Sequence, residues 1–110
     1  METSDLIYRI TKCVIKLYDN GCDILDIHVH NNDKIKLVNH LNFIQYQGRE
    51  DYKVDCKDLT IVINNIKLRI IDTIDDRFRS YVYGGSSTNK YVQNQGMFID
   101  DYSTYEYQQG

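Results

Sequence analysis

The chain has 110 residues, enough for one modest hydrophobic core, and its 42% apolar and 26% charged fractions are those of an ordinary globular domain. A formal net charge of -3 lacks the basic excess of a general nucleic-acid binder, and no apolar run approaches the roughly 18 residues of a membrane span. Cys13, Cys22 and Cys56 are odd in number and scattered, with no C-x-x-C pair, so neither a zinc knuckle nor a redox motif is supported and reduced thiols are expected.

The start, METSDLIYR, carries acidic residues where a secretory signal needs basic ones, so a cytoplasmic protein is expected. Residues 4 to 20 read as one amphipathic helix, with Leu6, Ile10, Cys13, Val14 and Leu17 on one stripe and Arg9, Lys12 and Lys16 on the wet face. Thr3 or Ser4 is the expected cap, Asp5 suits the positive end of the dipole, and Asn20-Gly21 is the stop. Ile7, Ile15 and Tyr18 widen the apolar surface and are expected to fill the margins of the helix packing.

Residues 23 to 30 alternate as a strand, with Leu25, Ile27 and Val29 on one side and Asp26, His28 and His30 on the other. Asn31-Asn32-Asp33 reads as a turn, and Lys34 to Val38 as a returning strand that sets Lys34 and Lys36 across from His30 and His28. Residues 39 to 46 read as strand or bend, Gln47 to Asp51 as a polar turn, and Tyr52 to Cys56 as a short strand.

The clearest element is Asp58 to Asp72. Leu59, Ile61 and Ile63 alternate with Thr60 and Val62, and Ile66, Leu68 and Ile70 alternate with Lys67 and Arg69. Asn64-Asn65 suits a two-residue primed turn, because Asn takes positive φ more easily than most residues. That register sets Ile63 opposite Ile66, Ile61 opposite Leu68 and Leu59 opposite Ile70, making one face wholly aliphatic. Ser80 to Tyr83 reads as extended, and Gly84 to Asn89 as a flexible connector.

After Lys90 the composition changes: Tyr91, Tyr102, Tyr105 and Tyr107 sit among Gln, Asn, Ser and acids. The expected fold is α+β: an N-terminal amphipathic helix packed on an antiparallel β-meander of about four to six strands, with a polar Tyr-rich C-terminal segment. Residues 1–96 are read as the domain and 97–110 as an appended segment, with Met97-Phe98-Ile99 as a cluster able to dock.

No catalytic residue, metal or cofactor is assigned. Asp26-x-His28-x-His30 places two imidazoles on one side of a strand, where His40 or Asp26 could add a ligand, but the neighbouring lysines repel a cation. Gly84 to Lys90 lacks the Gly-Lys-Ser/Thr ending of a phosphate loop. Asp75-Asp76 and Asp100-Asp101 are adjacent pairs whose side chains diverge in extended chain.

The leading expectation is a small non-enzymatic binding or inhibitor protein that covers a basic surface of a larger protein. Its style is that of a phage or mobile-element accessory of the anti-defence type. Tyr102, Tyr105 and Tyr107 are the expected anchors, and Asp100, Asp101 and Glu106 the steering charges. The alternative is a nucleotide- or phosphate-binding module using His28, His30, Lys34, Lys36 and Arg69; a third reading is an assembly subunit. Neither nucleic acid nor membrane is an expected partner, and the chain is read as a monomer or homodimer.

Overall fold

A computed structural model describes residues 2–46, 59–73 and 77–105. The element order is α1 (Thr3–Asp19), β1 (Ile24–Val29), α2 (Asn31–Tyr46), β2 (Thr60–Ile63), β3 (Ile66–Asp72), β4 (Tyr81–Gly85), β5 (Gln95–Phe98) and β6 (Thr104–Tyr105). This is a small α+β fold. The six strands form one sheet in the order β2-β3-β1-β4-β5-β6, mostly antiparallel. Two pairings depart from a meander, because β1 lies between β3 and β4: it runs antiparallel to β4 and parallel to β3, with Leu25 level with Leu68 and Ile27 level with Ile70. Parallel neighbours need a crossover, and the chain between them carries α2 and β2.

The helix α1 buries the expected stripe: Leu6, Ile10, Cys13 and Val14 have no exposed surface. Glu2, in extended conformation, holds the cap position without a side-chain cap bond, so the cap falls one residue before the expected Thr3 or Ser4. Its far end is a Schellman stop. Gly21, at φ 96°, donates its N–H to the Tyr18 carbonyl, and Cys22 donates to that of Leu17. Cys22 and Leu17 are both buried, which adds the apolar contact this stop usually carries.

Residues 31 to 38 are helix, not a turn and a returning strand. The alternation in KIKLV is short enough to fit either period, and a polar Asn-Asn-Asp run opens a helix as readily as it closes a turn. Sixteen residues without Gly or Pro decide for helix, and Asp33 lies in its first turn. Leu37 enters the same core cluster as the α1 stripe. The expected strand or bend over 39 to 46 is the rest of this helix.

The central hairpin matches its expected register: Ile63 pairs with Ile66 and Ile61 with Leu68, and the Ile70 N–H donates to the Leu59 carbonyl at 2.7 Å. Asn64 and Asn65 have φ 50° and 64°, as a primed turn requires. Ile61, Ile63, Leu68 and Ile70 are buried together with Leu25, Ile27, Val29 and Val82 under the helices.

The boundary expected at 96/97 falls inside β5, and Phe98 and Ile99 are buried, so residues 97 to 105 belong to the sheet domain. The expected turn at 47–51, the strand at 52–56, the pair Asp75-Asp76 and Cys56 lie outside the described residues. Among the described residues, no helix is long and apolar enough to cross a membrane.

Candidate functional site

Strand alternation sends two sets of side chains in opposite directions. One set builds the core beneath α1 and α2. The other faces away from both helices, and among the described residues no helix covers it. Asp26 and His28 of β1, Tyr81 and Tyr83 of β4, Gly96 and Phe98 of β5, and Tyr105 of β6 share this second face by register.

Across that face the rings form a row. His28 stacks on Tyr81 with centroids 4.6 Å apart and planes 9° from parallel. Tyr81 stacks in turn on Tyr105 at 3.8 Å and 8°. Phe98 meets Tyr105 edge-on at 5.4 Å, and Tyr83 meets it at 5.7 Å. The row exists because Gly96 leaves a gap in β5: a Cβ there would lie 2.8 Å from Tyr83 Cδ2 and 2.9 Å from Tyr105 Cβ. Glycine lets Tyr105 and Tyr83 lean across its backbone, a known remedy for glycine in sheets.

Phe98 is 2% exposed although it is on this face. The Arg79 guanidinium lies 3.6 Å from its ring centroid, and that of Arg77 lies 4.7 Å away. Arg79 also binds Asp100 through two bonds of 2.8 and 2.6 Å and Asp101 through one of 2.8 Å. The bond to Asp100 is the main reason that the guanidinium pKa is raised. The bonds from Ser103 hold the Asp101 carboxyl below the usual carboxylate range. Two carboxylates share this one guanidinium, while Arg77 lies against the same Phe98 ring and Arg9 donates to the Asp100 carbonyl at 2.6 Å, so the corner mixes both signs of charge.

His28 is half-buried. Desolvation among the rings lowers its pKa, opposed by Asp26 and aided by Arg69. Asp26 holds Arg69 through two bonds of 3.1 and 2.9 Å. His30 points elsewhere: its ring meets Phe78 edge-on at 5.2 Å. Its N–H donates to Ser80 Oγ, which donates at 2.7 Å to Asp33 in the first turn of α2. Ser80 thus relays the contact by which an acidic residue at the third helical position usually reaches the cap.

The expected ligand set does not assemble. Lys34 and Lys36 ride on α2, and Lys34 pairs with Asp72 at 2.9 Å; only His28 and Arg69 remain on the open face. His40 also lies on α2, and among the described residues no three His, Cys, Asp or Glu side chains gather as metal ligands. The Gly84–Lys90 stretch starts as part of β4. Its amides are spent internally: Ser87 donates to Asp23, and Thr88 and Asn89 donate to Ser86 Oγ. Asp23 beside it, its carboxyl kept below the ordinary range by Ser87, would repel phosphate.

Of the expected anchors, Tyr105 is in the ring row, and Tyr102 sits in a turn at φ 59° with Arg9 lying 5.3 Å from its ring centroid. Asp100 and Asp101 are tied to Arg79; Tyr107 and Glu106 lie outside the described residues. Sequence reasoning marked Phe98 only as part of a docking cluster and missed Tyr81, Tyr83, Gly96 and Arg79. The signal was present in two alternating runs, YVY and QGMF, which pair Tyr81 with Phe98 and Tyr83 with Gly96 once aligned.

No protein-family model matches the chain, and no significant match is found among curated proteins or among solved structures.

Proposed function

We propose that this is a small non-enzymatic binding protein that docks onto a larger protein through the open face of its sheet. The observation that carries this reading is the ring row, with half-buried His28, Tyr83 and Tyr105 around the buried Tyr81, standing where no described helix covers the sheet. Tyrosine offers a large amphipathic contact at little entropy cost, and aromatic residues with Arg are enriched at interface centres. Ile24, 55% exposed, and the half-buried Tyr83 and Ile71 extend the face, and the Asp26–Arg69 pair lies among them.

The rings turn their faces to one another: Tyr81 is stacked between His28 and Tyr105. Stacking capacity is therefore spent internally, which disfavours a nucleobase and favours a protein surface. The partly exposed carboxylates of Asp100 and Asp101 support a partner that offers basic groups at that place. The small size and the ten-tyrosine composition support an accessory inhibitor of the kind carried by phages and mobile elements, acting in the host cytoplasm.

The test is affinity capture from host lysate with the wild type beside a Tyr83→Glu/Ile24→Asp variant, followed by affinity measurement on the purified pair. The reading expects one protein held by the wild type and bound at least about tenfold more weakly by the variant. Equal retention by both chains would remove the open face from consideration.

A further inference from the structure

The outward side of α1 carries a second apolar line that the core does not use. Tyr8, Ile15 and Tyr18 are 57%, 43% and 56% exposed. At about 100° per residue, Tyr8 and Ile15 fall within about 20° of one line along the helix, opposite the buried stripe. Thr11 and Tyr18 lie on one flank of that line, and Lys12 and Asp19 on the other. Beyond Ile15 the surface runs into a groove between helix and hairpin turn, lined by Val14, Tyr18, Asn64, Asn65 and Ile66. Among the described residues Asp19 has no ion-pair partner, and the Lys12 ammonium rests 5.4 Å from the Tyr8 ring centroid.

We propose that this side of α1 is a homodimer contact, in which two copies pair their first helices antiparallel about a two-fold axis at Ile15. The arrangement is self-complementary in charge and shape. With a rise of about 1.5 Å per residue, Lys12 stands about 4.5 Å before Ile15 and Asp19 about 6 Å after it. The two-fold reverses the second helix while keeping each flank on its own side. Lys12 of each copy therefore comes level with Asp19 of the other, giving two cross-dimer ion pairs on one flank. Thr11 meets Tyr18 on the opposite flank, and Ile15 meets its own copy on the axis.

Tyr8, about 10 Å from the axis, lies beyond Tyr18 of the second copy and closes the end of the contact. A parallel pair would instead swap the flanks and set Lys12 level with Thr11 of the other copy and Asp19 with Tyr18, leaving both charges unpaired. Such an isologous contact closes at two copies. One helix face is a small interface, so the association depends on concentration. It leaves the open sheet face free and stands independently of the function proposed for that face.

Sedimentation velocity of the full chain from micromolar to millimolar concentration tests it. The expected result is a rise toward twice the monomer mass, lost in Ile15→Asp, in Lys12→Asp and in Asp19→Lys, and regained in the Lys12→Asp/Asp19→Lys double variant. These side chains are exposed, so circular dichroism melts of the variants should match the wild type. A chain that stays monomeric at every concentration overturns the proposal, as does a dimer indifferent to Ile15→Asp. Loss in both single variants without recovery in the double variant overturns the antiparallel register and leaves a different occupant, such as an acidic helix of another protein.

Discussion

Tyr105 lies flat on Tyr81, 3.8 Å between centroids, although the two belong to strands that are not neighbours. The short strand β6 is thus tied to the middle of the sheet by a ring reaching over Gly96. Aromatic pairs contribute about 0.5–1.5 kcal/mol beyond the area they bury. Tyr105→Ala is therefore expected to destabilise by at least that amount in denaturant titration. Deleting residues 97–110 removes Phe98 and Ile99 as well, and the far-ultraviolet dichroism of that truncation should be that of an unfolded chain.

Gly96→Val tests the gap itself. The new side chain must displace Tyr83 and Tyr105, and overpacking of this kind typically costs about 1–3 kcal/mol. The expected readout is a lower melting temperature together with a changed near-ultraviolet tyrosine signal. A melt equal to the wild type would show that the rings do not lean across Gly96.

Stability should fall on mild acidification. Half-burial holds the folded-state pKa of His28 below its ordinary value of 6.5. The unfolded chain therefore takes up the proton first, so the contribution of neutral His28 is complete above about 6.5 and is lost as pH falls below that value through the lower folded-state pKa. In urea midpoints measured across this range, His28→Gln should show a shallower slope than the wild type. Parallel slopes would mean that His28 is not desolvated.

The hairpin is the stability centre of the sheet's first edge. Ile61→Ala or Leu68→Ala leaves a cavity under the helices and should cost roughly 2–5 kcal/mol, a large part of the roughly 5–15 kcal/mol that holds a small domain. Both melting curves should shift sharply downward.

Cys13 should be silent to thiol reagents in the folded protein. Burial pushes its thiol up to about 12, with Arg9 partly opposing and Asp100 adding to the rise. Labelling by a disulfide reagent at neutral pH should reach Cys13 only in denaturant, as mass spectrometry of its peptide would report. Prompt labelling without denaturant would place the thiol at the surface.

The elements legible in the sequence were those in which one period held without competition. The α1 stripe kept helical spacing for its whole length, and the hairpin combined alternation with a turn that its Asn pair could adopt. Lys34 to Val38 offered too few residues to separate the periods, and reading it as a strand carried Lys34 and Lys36 onto the wrong side of the molecule. The appended-tail reading failed for a different reason. Tyr, Gln and Gly look like solvent-facing composition, yet Tyr105 and Gly96 are complementary only after β4 and β6 are brought to either side of β5. The pairings of Arg79 with Asp100 and Asp101, 21 and 22 residues away in the chain, likewise have no local pattern.

The parallel pairing of β1 with β3 sets a schedule for the newborn chain. Asp26 waits 43 residues for Arg69, and the Cys13 thiol waits 85 for the Phe98 carbonyl. Contacts this distant close slowly, because the loop entropy is lost before the contact repays it. Until the ribosome has passed β5, the apolar stripe of α1 has only part of its cover, and Leu6, Ile10 and Leu17 stand open to chaperones or to other nascent chains. Yield in the cell should therefore respond to chaperone supply more strongly than the equilibrium stability of the finished fold would suggest.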